Sequence, residues 1–291
     1  MSDKKVVSLG EQRSKHKEDE EREESGKADG TAERDQEIGG ECILNQDSQF
    51  DLQEEHPTTL YRFYSLNNDD KTNESKFEAL KKGEMWMATP DALNDPFEIA
   101  NLYINYSNGY PTELCDYFSA ALRKSRENIR IASLSKNDFS SLLMWAYYAN
   151  NHRGFCVEFE VQQQNAIREV IYLSKRYALI NSFIRYFGRE MSQEERSQFE
   201  FVLSTLSRTK GKEWENENEF RVILPAERVE RVSDAGGTVS LSSVGLKPTR
   251  IIMGMKCSND HRQRIIDIGN LINCPVVSAT LSNDEYKMVV E

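Results

Sequence analysis

The chain has 291 residues, 38% of them hydrophobic and 29% charged, with a formal net charge of −11 at pH 7. That length allows one large or two small domains around an ordinary core. Division at Pro57 relocates the charge: residues 1–57 hold 17 Asp or Glu against 8 Lys or Arg, a net of −9 that leaves −2 for the remaining 234. The acidic segment is thereby excluded as a strong binder of duplex DNA, whose phosphates demand clustered cations.

The first 57 residues are rich in Glu, Lys, Ser, Gln and Gly and contain no aromatic before Phe50. They lack the apolar surface needed to offset backbone ordering, which predicts a disordered acidic tail. Five cysteines, Cys42, Cys115, Cys156, Cys257 and Cys274, show no CxxC spacing. Their odd number and scatter suggest neither a disulfide framework nor a zinc knuckle, and fit reduced thiols in the cytoplasm. No apolar run reaches the ~18 to 20 residues that cross a bilayer. Met-Ser-Asp-Lys-Lys at the start is followed by no apolar signal segment, so no membrane association is expected.

Structure is expected from Thr58, where Thr-Thr-Leu-Tyr-Arg-Phe-Tyr has strand composition. Asn73–Lys82 follows as a helix closed by Gly83, then Glu84–Ala88 as a strand and Thr89–Glu98 as an ordered loop with two prolines. Pro111–Ser125 is an amphipathic helix and Asn128–Ser135 a strand. Ser140 caps a helix through Trp145 and Tyr148, and Asn151-His-Arg-Gly154 turns into the alternating strand Phe155–Phe159. A helical region is expected over Lys175–Arg208, recapped at Ser192 with Glu195 three residues on. Strands at Glu219–Leu224, Thr238–Leu241, Arg250–Gly254, Pro275–Thr280 and Glu285–Val289 surround one helix, Ser258–Ile272. Strands that outnumber helices, joined partly by hairpin-length connections, predict an α+β domain over 58–291, with a mixed or mostly antiparallel sheet flanked by helices and a helical insertion at 175–210.

Several blocks, Tyr61-Arg62, Asn94-Asp-Pro-Phe-Glu98, Met144-Trp-Ala-Tyr-Tyr-Ala149, Arg153-Gly-Phe155 and Lys212-Glu-Trp214-x-x-Glu217-x-Glu219-x-Arg221, resemble the bacterial domain of unknown function family 2971 from about Leu60 to the C-terminus. That resemblance implies a bacterial accessory or stress-defence setting and no particular chemistry. The chain is also similar to the arginine-serine-glutamate class of the ADP-ribosyltransferase superfamily. That class carries Arg on the first strand, Ser on a middle strand and Glu-x-Glu on a late one, matched here by Arg62, by Ser133 or Ser135, and by Glu217-Asn-Glu219. Its middle element is usually Ser-Thr-Ser, and this chain has Ser133-Leu-Ser135.

The resemblance implies NAD as substrate and a protein or nucleic-acid acceptor. Cleaving the nicotinamide glycosidic bond builds positive charge on the ribose, which a carboxylate, Glu219, would stabilise. Glu217, on the same strand face by the period of 2, would orient or deprotonate the acceptor. Arg62 would hold the pyrophosphate or ribose through bidentate donors, with Tyr61 beside it and the aromatic Trp214 placed to line a nicotinamide pocket. No metal is implied.

Each residue has a plainer reading. Glu217, Glu219 and Arg221 at alternate positions fit a solvated strand face with ladder ion pairs, and Arg62 an exposed edge position. Asn94-Asp95-Pro96 fits an Asx turn, and Trp145, Tyr147 and Tyr148 fit helix packing. Two other function classes stand beside the transferase: a non-catalytic regulatory or protein-interaction module, and a metal-dependent nuclease built on Asp95, Glu217 and Glu219.

Overall fold

The computed structural model describes residues 56–67, 71–97, 102–103, 111–163, 166–178, 192–194, 205 and 207–291. All belong to the compact unit that begins at Ile38. The expectation of a disordered tail falls almost wholly outside the described residues.

In chain order the elements are β1 (Thr59–Tyr64), α1 (Lys71–Lys81), β2 (Glu84–Ala88), β3 (Leu102–Tyr103), α2 (Thr112–Glu127), β4 (Ile129–Ser135), α3 (Leu142–Tyr148) and β5 (Phe155–Val161). The short strands β6 (Ile167–Glu169), β7 (Ile171–Leu173), β8 (Tyr177–Ala178) and β9 (Thr209–Gly211) follow. The chain ends with β10 (Glu219–Pro225), β11 (Glu230–Ser233), β12 (Gly236–Ser240), β13 (Leu246–Met253), α4 (Asn259–Leu271), β14 (Val276–Leu281) and β15 (Met288–Val290).

The main sheet runs β11-β12-β2-β4-β1-β5-β13-β14-β15, with β10 on β4 and β6 on β10. Its pairings are antiparallel except β13 with β14, whose connection is helix α4. The mixed sheet flanked by helices is as the residue patterns predict. β4 is the junction of this sheet. β10 pairs with it along seven positions, Glu219↔Ser135 to Pro225↔Ile129, and so occupies one whole edge. The other edge is shared by β2 at Ala88↔Ile131 and β1 at Tyr61↔Ser135, which leaves a fork between β1 and β2.

Side chains opposite one another in a ladder share a face. On one face Leu60, Leu134, Val157, Phe159, Phe220, Val222 and Ile251 pack with Phe77 and Leu80 of α1 and Ile265 and Ile268 of α4. On the other, Phe63, Cys156 and Ile252 pack with Trp145 and Ala149 of α3. Trp145 is fully buried, edge-on to Phe63 at 5.3 Å, and its Nε1 donates to Phe139 O at 2.7 Å. The packing reading of Trp145 therefore holds. Replacing it with Ala empties the site of α3 on the sheet and is expected to cost about 3 to 5 kcal/mol, read as a lowered urea midpoint.

The turn into β5 allows little freedom. Asn150, Asn151 and His152 are all left-handed, a conformation Asn tolerates better than most residues, and a Cβ on Gly154 would stand 1.8 Å from Tyr64 O.

Several expected elements move. Ser141, not Ser140, caps α3 through Met144 N at 3.5 Å, because Ser140 turns its amide to Asp138 Oδ1 at 2.8 Å. Tyr177–Ala178 is a strand rather than the start of a helix, drawn into parallel pairing with β3. Thr209–Gly211 likewise pairs with β7. Between them all but six positions of the expected helical insertion lie outside the described residues, the capping residue Glu195 with them. Among those residues, no helix is long and apolar enough to cross a membrane.

Candidate functional site

The site begins with a turn. Lys212–Glu217 forms a 3-10 turn, Asn218 closes it in the left-handed conformation (φ 43°), and β10 starts at Glu219. Glu217 and Glu219 are therefore not alternate residues of one strand as expected, since the left-handed Asn218 breaks the period between them. A lysine brings them together instead. Lys210, from β9, places Nζ 2.6 Å from Glu217 Oε2 and 3.2 Å from Glu219 Oε2, with the Trp214 ring 4.6 Å away.

Glu219 is enclosed. Arg221 Nε donates to its Oε1 at 2.9 Å and Arg221 Nη2 to its Oε2 at 3.2 Å, while Ser133, opposite Arg221 in the ladder, also donates to it. Its backbone amide donates to Tyr172 OH at 2.8 Å, and Arg221 Nη1 donates to Ser207 O at 2.9 Å. Glu219 is 3% exposed and Arg221 0%, so the reading of these residues as a solvated ladder is overturned. They are buried because β6 pairs on the far side of β10 and closes what would otherwise be an edge.

Glu217 is also buried, though less deeply, at 8% exposed. Its Oε1 accepts from Tyr148 OH at the end of α3, and Tyr148 in turn accepts from Asn94 Nδ2 at 3.0 Å. Ser135 supports the turn from below: its Oγ donates to Glu217 O at 2.6 Å and accepts from Asn137 N at 2.9 Å. Asn137 and Asn218 also clasp one another, Nδ2 to Oδ1, at 2.7 Å.

Of the residues selected from sequence, the structure unites Ser133, Ser135, Glu217, Glu219 and Trp214, and sets Tyr61 in register with Ser135 on the same face. Tyr61 OH donates to Glu158 Oε2 at 3.0 Å. Arg62 is the exception. Adjacent to Tyr61, it points to the opposite face, where Nη2 donates to Trp86 O at 3.0 Å across the fork and the guanidinium lies 5.3 Å from the Tyr64 ring. The arginine-serine-glutamate set is thus not assembled with Arg62, because strand alternation sends it away from Glu219. Arg62 is also no exposed edge residue; it plugs the fork.

Asp95 Oδ1 accepts from Phe97 N at 2.9 Å, the Asx turn expected of that loop. Among the described residues no group of three or more His, Cys, Asp or Glu is placed to hold a metal ion. Sequence reasoning missed Lys210, Tyr148, Tyr172 and Asn94. Tyr148 and Asn94 sit in quoted blocks, but only the fold shows that these blocks meet.

The charges set one another's protonation. Burial alone would push the Glu219 carboxyl up, but the positive charges of Arg221 and Lys210 and the donors Arg221 and Ser133 outweigh it and hold it down at about 2. Burial would lower Lys210, and the two glutamates override it, so its pKa is raised. Burial and then the bond to Glu217 push Tyr148 up, which keeps the phenol a donor at neutral pH. Because the folded pKa of Glu219 lies below its ordinary value of 4.5, its stabilising contribution is complete above pH 4.5 and is lost as pH falls toward 2. The urea midpoint should drop through that window, with a shallower drop in Glu219→Gln.

The class defined here is an α+β domain with a buried, internally neutralised charge network at the junction of its sheet. Comparison with family models places the same segment in view: residues 144–222 match a family described as a protein of unknown function, DUF2971. That match is shorter than the block pattern suggested, and it runs from α3 through Val222 of β10. It carries Tyr148, Tyr172, Lys210, Trp214, Glu217, Glu219 and Arg221. No curated protein and no solved structure matches the chain.

Proposed function

We propose that this chain is an NAD-consuming enzyme similar to ADP-ribosyltransferases, with Glu217 as the carboxylate that meets the substrate. One observation carries the reading: Tyr61, Ser135 and Glu219 stand in register on three neighbouring strands, with Ser133 on the same face and Glu217 joined to Glu219 through Lys210. Glycosidic cleavage of NAD develops positive charge on the ribose, and a fixed carboxylate stabilises it with no reorganisation.

The geometry favours different roles from those the resemblance implies. Glu219 is paired with two cations, Arg221 at both oxygens and Lys210 at one, and is the more deeply buried of the two glutamates, so Glu219 acts through Lys210 as a positioning residue. Glu217 is bound at one oxygen by Lys210 and at the other by Tyr148, beside the half-buried Trp214, which offers a stacking surface for nicotinamide. The acceptor in this reading is a protein or nucleic acid, in a bacterial defence setting in the cytoplasm.

A non-catalytic interaction module is favoured by one feature, the internal pairing of every charge in the network. The two readings part in a calorimetric titration with NAD followed by incubation with nicotinamide-labelled NAD, with and without cell extract. The enzyme reading expects binding and label release. Absence of both in all conditions would sink it and leave the module.

A further inference from the structure

The two glutamates differ in what their oxygens still have to offer. An ionised carboxylate has about four lone-pair sites for hydrogen bonds. Glu219 fills them with Arg221 Nε, Arg221 Nη2, Lys210 Nζ and Ser133. Glu217 accepts once at each oxygen, from Lys210 Nζ at Oε2 and from Tyr148 OH at Oε1. Among the described residues each Glu217 oxygen therefore keeps a free acceptor site, and the two donors that hold the group set where those sites point.

Lys210 is shared between both carboxylates, whereas Tyr148 has a single O–H and gives it to Glu217. Its place is fixed from behind: Trp145 and Ala149 are fully buried against the sheet, so α3 presents Tyr148 from a rigid base. The phenol oxygen accepts from Asn94 Nδ2 at 3.0 Å. A hydroxyl that accepts a hydrogen bond donates more strongly, and the bond from Asn94 also constrains the direction of the O–H. Asn94 is exposed, yet its loop is tied down on several sides. Thr89 N donates to Ala235 O at 2.9 Å, Arg126 Nη2 donates to Asp91 Oδ1 at 2.6 Å, and the buried Asp95 accepts from Phe97 N. The hydroxyl of Tyr148 adds no apolar contact, so what this relay supplies is the aim of a carboxylate rather than packing.

We infer that Tyr148, oriented by Asn94, is the residue that positions the Glu217 carboxylate for the reacting ribose. This rests on the NAD reading above. Neither Tyr148 nor Asn94 touches the substrate in this role; both act through Glu217. A carboxylate held by Lys210 alone can swing about that one contact, and a misaligned reacting group lowers the rate while leaving substrate affinity intact.

The test is steady-state release of nicotinamide from NAD by the wild type, Tyr148→Phe, Asn94→Ala and the double variant. Tyr148→Phe keeps the ring and should lower kcat about 10- to 100-fold with KM within about twofold of the wild type, which a loss of binding or of folded protein would not reproduce. Asn94→Ala should lower kcat less, by about threefold to tenfold, and the double variant should be no slower than Tyr148→Phe, because Asn94 acts only through the hydroxyl that Phe lacks. Asn94 is exposed, so its variant decides the matter should Tyr148→Phe fail to fold. With an active wild type, an unchanged kcat in Tyr148→Phe or Asn94→Ala, a loss confined to KM, or losses that multiply in the double variant would each overturn the positioning role and leave the NAD reading intact. A wild type that releases no nicotinamide would overturn both.

Discussion

Arg221→Met is expected to destabilise the domain by about 3 to 5 kcal/mol, because it strips a buried carboxylate of its bidentate partner. Arg221 is fully buried and, among the described residues, donates to both oxygens of Glu219 and to Ser207 O. Met approximates its volume, so packing loss is small and the cost falls on the uncompensated charge. Lys210 alone then neutralises two glutamates. The double variant Arg221→Met, Glu219→Leu removes both charges and leaves Lys210 with Glu217; its loss should be clearly smaller than the sum of the single losses. Urea denaturation of the four proteins reads the coupling. Additive losses would mean that the pair contributes nothing beyond its separate parts.

Glu217→Gln and Glu219→Gln should separate the roles of the two carboxylates. Glu217 is the less deeply buried of the two, and a glutamine there can still accept from Tyr148 while Lys210 keeps Glu219 as its partner, so the variant should fold while nicotinamide release falls about 100-fold or more. Glu219→Gln should lose stability as well as activity, since Arg221 and Lys210 both lose charge compensation. The measurement is the rate of nicotinamide release set beside the urea midpoint for each protein. Equal midpoints for the two variants would contradict the division.

What could be read from the residues was governed by range. The alternation of Phe155–Phe159, the Gly83 that ends α1 and the Ser258 cap of α4 are local signals, and the corresponding elements formed within a residue or two. β6, β7 and β11 escaped because three or four residues carry too little pattern, and β11 has no buried position at all. At the site the side-by-side pairing of β1, β4 and β10 had no local signal, and the faces depend on phase. Tyr61 and Arg62 were chosen together from adjacent positions, and a strand can present only one of them to Glu219. Lys210 was invisible because its partners meet it only after the Lys212–Glu217 turn folds back and Asn218 goes left-handed.

The central claim is that Glu217 works on a bound NAD. Its most direct test is nicotinamide release from NAD by wild type, Glu217→Gln and Glu227→Gln, the last an exposed carboxylate outside the network. Release by the wild type and by Glu227→Gln, with none above background in a folded Glu217→Gln, is the result expected. Equal release by all three would contradict it.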